Sequence, residues 1–169
     1  MKQKIINTYN FNLLYAIELV QDVDEKLMTQ SPSPGLENHP AFTLGHLVSA
    51  AALTSKYLGG PYILNSDWEQ LFKRNGPGDP RRPDPNPELY PLKEQLISEL
   101  TNQHKLVEEQ ILNLADARFD EPVKWRYQAI MPTLGELLFF MCITHESMHL
   151  GQLAGWRRAM DLPSALARL

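Results

Sequence analysis

The chain carries a single cysteine, Cys142, in 169 residues. No intramolecular disulfide can form, and a C-x-x-C zinc or redox site is excluded; so low a thiol count suits a reducing compartment. A basic excess is also missing: sixteen Lys and Arg face twenty Asp and Glu, for a formal net charge of −4. Domains that neutralise a phosphate backbone carry the opposite balance, so nucleic acid is not an expected partner. There is no apolar run of the roughly 18 residues that would suggest a bilayer span. Residues 1–23 open with Lys2 and Lys4 but interleave Asn7, Asn10, Asn12 and Glu18 among their apolar positions, which leaves no signal-peptide core. The expectations are a cytoplasmic address and no membrane partner. Internal repeats and strand-like alternation are lacking as well.

What remains is a globular composition, 43% hydrophobic and 21% charged, in a chain long enough to bury about 70% of its unfolded surface as one domain, residues 1–169. Its periodicity is helical. A first amphipathic helix is predicted from Ile6 to Met28, ended by Ser31-Pro-Ser-Pro-Gly35. A second starts at His39, with Pro40 in the first helical position, and stops at Leu58 before Gly59-Gly60-Pro61. A short amphipathic piece, Trp68 to Arg74, precedes Asn75–Pro87, where five prolines and two glycines in thirteen residues exclude regular structure. A loop of that length is a candidate for shaping a pocket mouth. A third helix is predicted from Glu88 to Leu114. After a polar link (Asp116 to Met131), Thr133-Leu-Gly-Glu136 reads as a capping box that starts a fourth helix, running to Met160. The predicted class is all-α: a four-helix bundle with a long Pro-rich loop between its second and third helices.

Five histidines are the residues most able to do chemistry: His39, His46, His104, His145 and His149. His145-Glu-Ser-Met-His149 lies mid-way along the fourth helix, in an apolar setting. Positions i and i+4 stand about 6 Å apart along the axis and about 40° around it, so both imidazoles can reach one ion. Spacing alone leaves open whether the pair binds metal or is hydrogen-bonded core. A third ligand strengthens the metal reading, and His46, mid-way along the second helix, is the candidate. Facing helices of a bundle build such sites from inward side chains, and three histidines with a fourth position open describe a catalytic metal site.

The pentapeptide also matches the H-E-x-x-H pattern of zinc proteases, with Glu146 as general base. That reading is disfavoured. The longer form of the motif needs Gly at 152 and His at 155, where this chain has Gln152 and Gly155, and no sheet is available to hold an extended peptide. Glu146 is expected to support a ligand or face solvent. Cys142, three residues before His145, shares its face and is expected to be buried and inert rather than a ligand. His39 reads as a helix-start residue, His104 as packing or capping at the edge of the third helix's stripe, and Trp156 as core or interface. Arg81, Arg82, Arg157 and Arg158 could attract an anionic substrate, although isolated arginine pairs are more often solvated.

Phe42-Thr-Leu-Gly-His46-Leu, Tyr57-Leu-Gly59, Trp68-Glu-Gln-Leu-Phe72 and Thr144-His145-Glu-Ser-Met-His149-Leu-Gly151-Gln152, followed by Arg157-Arg158, occur in that order. In this order and spacing the chain resembles the DinB/YfiT-like metal-dependent enzymes over nearly its whole length. The resemblance implies an up-down-down-up bundle, a dimer, and nickel or zinc held by one histidine of the second helix and an H-x-x-x-H pair of the fourth. Those positions are His46, His145 and His149 here. It further implies a small-molecule substrate and turnover as a hydrolase or as a transferase using a low-molecular-weight thiol; no catalytic residue beyond the metal ligands is assigned. The alternative is a non-catalytic, stress-associated metal-binding bundle acting through dimerisation or interaction.

Overall fold

The computed structural model describes residues 1–76 and 79–169; Pro77 and Gly78 of the predicted loop lie outside the described residues. It is an all-helical bundle of α1 (Lys2–Val20), α2 (Pro40–Tyr57), α3 (Ser66–Phe72), α4 (Lys93–Asn113), α5 (Leu134–Phe139) and α6 (Glu146–Ala159). Between α5 and α6 the chain winds as a π-helix over Phe140–His145, so Leu134–Ala159 is one rod with a wide turn inside it. No strand occurs among the described residues, only an isolated bridge between Pro122 and Thr133. None of these helices is long and apolar enough to cross a membrane.

Local chemistry sets most of the helix ends. His39 Nδ1 accepts from the Phe42 amide at 3.2 Å and Pro40 occupies the first turn, so α2 starts where the sequence predicts. After α2, Gly59 has φ +89°, the left-handed conformation that lets a chain leave a helix. Thr133 N donates to Glu136 Oε2 at 2.9 Å and Glu136 N to Thr133 Oγ1 at 3.4 Å, which closes the capping box of α5.

The first helix starts at Lys2 rather than Ile6 and the short one spans Ser66–Phe72 rather than Trp68–Arg74, but two ends depart furthest from prediction. The first helix stops at Val20 rather than Met28, because its end is capped from afar. Arg157, 1% exposed, donates to the Leu19 carbonyl at 2.9 Å and to both Asp22 oxygens at 2.6 and 2.9 Å. Asp24 then accepts from Lys26 N to begin a short 3-10 turn, Glu25–Leu27. The third long helix begins at Lys93 rather than Glu88. Pro91 holds the preceding Tyr90 extended, with φ −107° and ψ 144°.

Inside the bundle α2 packs on α4 and α6, α1 on α4 and α6, and α3 on α2. One buried cluster centres on Leu44, Phe72, Leu96 and Trp156, and a second on Ile5, Tyr9, Val107, Leu137 and Cys142. Trp156 is core, as predicted, and its indole N–H donates to the Gln30 carbonyl at 2.7 Å.

Candidate metal centre

His46 comes from the middle of α2, His145 from the end of the π turn and His149 from the first turn of α6. The structure brings all three together, each half-buried, with one ring nitrogen apiece and all of these nitrogens within 4.8 Å of one another. His145 Nε2 and His149 Nε2 are 3.2 Å apart. Ligand nitrogens about 2.1 Å from one tetrahedral ion stand about 3.4 Å apart. The His145–His149 edge therefore has close to the spacing of a chelate, and the His46 ring stands 4.7 Å from that of His149.

The three rings are held differently. His46 Nδ1 donates to the Phe72 carbonyl at 3.0 Å, which turns its Nε2 lone pair outward in the manner of a metal-ligating histidine. That carbonyl belongs to the last residue of α3, and Gly45 is what lets α3 come so close. A Cβ at Gly45 would stand 2.2 Å from Phe72 Cε1. His46 also stacks on Phe42, with ring centroids 5.7 Å apart. By contrast, Nδ1 of His145 and of His149 is buried without a hydrogen-bond partner. The Gln152 amide beside His149 uses its oxygen to accept from Asn38 at 3.2 Å.

Burial is the main cause of the histidines' acidity. It pushes the His145 pKa down to about 3, with the charges that His149 and His46 would carry as lesser causes. Burial and then His46 bring His149 to about 4, and burial lowers His46 in the same direction. All three are neutral imidazoles near pH 7, the state that coordinates a metal. The donor set could hold a metal ion.

Glu146 does not belong to this group. It is 3% exposed and turned to the back of the helix, where Oε1 lies 2.8 Å from His104 Nε2. Burial raises its pKa, against the lowering effect of His104. The protease reading fails on this geometry, because the would-be base points away from the histidine nitrogens. His104 is not an edge residue of α4; it is 1% exposed and stacks on Tyr9 at 3.7 Å. Cys142 is buried as expected but does not share the ligand face. The wide turn carries it round to the cluster of Ile5, Tyr9 and Leu138, where burial raises its thiol pKa.

His39 is the structural cap predicted for it, with its Nε2 near the Asp84 carbonyl at 3.2 Å. Arg157 is a buried structural residue and unavailable to a substrate anion. Arg81 pairs with Asp79 at 2.6 Å and Arg82 with Glu37 at 3.1 Å. The described part of the 75–87 loop is stapled across the start of α2 by Asp84 and Arg82. The nearer rim of the centre is aromatic: Phe140 stands 6.2 Å from His145 and packs on Trp125 and Tyr127. Two open grooves beside Trp68 and Pro91, between α3 and α4, contain none of the histidines.

Three contacts behind the site escaped the sequence reading: the Phe72 carbonyl that accepts from His46, His104 against Glu146, and Asn12, which donates to the Cys142 carbonyl at 3.2 Å. The last two had a signal, since each is a polar residue set inside an apolar stripe. Asn12 lies between Tyr9 and Ala16, and His104 between Leu100 and Val107.

The family model described as the DinB superfamily matches residues 15–153, a span that contains all three histidines. No curated protein matches the chain.

Proposed function

The chain belongs to the DinB superfamily, and from that premise we propose that it is a divalent-metal-dependent enzyme whose ion is held by His46, His145 and His149 and whose nucleophile is a small thiol. The observation that carries the reading is the convergence of three neutral imidazoles, from two helices, on one point. Nickel or zinc held there supplies an open coordination position, lowers the pKa of a thiol or water placed in it and polarises an electrophilic substrate.

The chain's own residues do the rest. The Phe72 carbonyl fixes the tautomer and direction of His46, and the rings of Phe42 and Phe140 lie against those of His46 and His145. What the site lacks favours thiol over water. The adjacent carboxylate, Glu146, is engaged with His104 on the far side of the helix and is not placed to take a proton from a nucleophile. A free thiol ionises near pH 8.5 and needs only a small shift to be a thiolate at neutrality, whereas water starts from about 15.7. A transferase working on a small electrophile therefore suits these residues better than a hydrolase. The substrate, the choice of nickel or zinc and a homodimeric state belong to the same proposal.

The test is metal analysis of protein purified without a polyhistidine tag, followed by turnover of electrophiles with added small thiols. About one equivalent of nickel or zinc, lost in His46→Ala and His149→Ala together with turnover, is the expected result. Metal binding with no turnover across a broad panel would replace the enzyme with a non-catalytic metal-binding bundle. No metal in the wild-type protein would overturn both.

A further inference from the structure

We infer that Asn12, on α1, is a positioning residue for the metal centre: it holds open the wide turn that aims His145 and His149 at one point. The inference rests on the metal reading above. His46 is aimed by its own hydrogen bond to Phe72 and His149 has the Gln152 side chain beside it, but the Nδ1 atom of His145 is buried without a partner. The direction of His145, and of His149 that bonds to it, is therefore set largely by the backbone that carries them. That backbone is the π turn Phe140–His145, a geometry that is rare and poorly stable in isolation because it departs from the i→i−4 ladder.

Asn12 supplies a hold from outside the helix. Its side-chain N–H donates to the Cys142 carbonyl at 3.2 Å, a buried contact from a residue 4% exposed. The same amide lies against the Glu146 carboxylate, which His104 grips from α4. His145 is thus bracketed from behind, three residues before and one residue after, by side chains of two other helices. If the turn tightened to an ordinary α-helix, His145 and His149 would keep their mutual spacing. Their rotation relative to Leu134–Phe139, and with it their approach to His46, would change.

The experiment is cobalt(II) binding to the untagged full-length protein and to two variants. Asn12→Leu removes the donor at nearly constant volume, and Asn12→Ala leaves room for a water. Affinity and the visible d–d absorption of the bound cobalt are read alongside circular dichroism and melting of the metal-free proteins. The expected result is a folded Asn12→Leu that binds cobalt on the order of 10- to 100-fold more weakly, the usual effect of losing an outer-shell partner, with a changed band position or intensity. A wild-type spectrum and affinity in either folded variant would overturn the inference. So would failure of both variants to fold, which would make the contact a requirement of the whole bundle and not of the site. Absence of cobalt binding by the wild-type protein would instead overturn the metal reading itself.

Discussion

The two faces of residues 140–149 both carry ionisable side chains and do opposite things. On the front, His145 and His149 present nitrogens 3.2 Å apart toward His46. On the back, Cys142 and Glu146 are closed off by Asn12 and His104. The difference shows what separates a candidate ligand set from a buried polar network. In the network at least one strong hydrogen bond runs to a protein partner. In the ligand set the partners are the candidate ligands themselves: His145 Nε2 and His149 Nε2 share one N–H···N hydrogen bond at 3.2 Å, which a cation would replace. The H-E-x-x-H pattern is therefore read half by each face, and the carboxylate that makes the pattern famous in proteases sits on the wrong one.

The largest effect expected is on the front face. His149→Ala or His46→Ala should weaken zinc or nickel binding on the order of a thousand-fold, ~4 kcal/mol, by removing one of three ligands. Calorimetry or competition with a chromophoric chelator measures it, and an unchanged affinity would dissolve the distinction between the faces.

The back face should respond in stability. Glu146→Ala removes one partner of a buried pair and should cost about 3 kcal/mol in urea unfolding, with about one equivalent of metal still bound. A general base would behave the other way round, losing turnover at unchanged stability.

Gly45→Ala tests the link between α3 and the front face. The new methyl would meet the Phe72 ring, so α3 must shift. About 1–3 kcal/mol of stability should go, together with part of the metal affinity, because the Phe72 carbonyl moves off His46.

A smaller effect should appear with pH. His145 and His149 have folded pKa values of about 3 and about 4 against an ordinary 6.5. Between those limits the unfolded chain binds more protons than the fold. Stability of the metal-free protein should be full above about pH 6.5 and fall as the pH drops toward 4. The melting temperature followed over that range should decline, and less steeply in His145→Ala. Least of all, Arg82→Ala breaks only an exposed ion pair with Glu37 and should leave both melting and metal binding unchanged.

Much of this protein was readable residue by residue, and the parts that were not share a cause. The start of α2 at His39-Pro40, its exit at Gly59 and the Thr133–Glu136 box are short-range devices whose donors and acceptors lie within four residues. The boundary at Pro91 had an equally local signal that the apolar stripe of Leu89 and Leu92 obscured. The end of α1 had none, because its cap is Arg157. The π turn had none either, since its composition suits an α-helix and its outside support comes from Asn12.

From sequence alone came the helical class, the bounds set by local caps and the three histidines able to share an ion, because helical period and cap chemistry act over one or two turns. Tertiary structure decided which nitrogens meet, which carboxylate is sequestered and how the rod is wound at His145 and His149. Those outcomes depend on partners up to 130 positions apart, as for Asn12 and Cys142. Nothing in the neighbouring residues specifies such a pairing until packing brings the helices together.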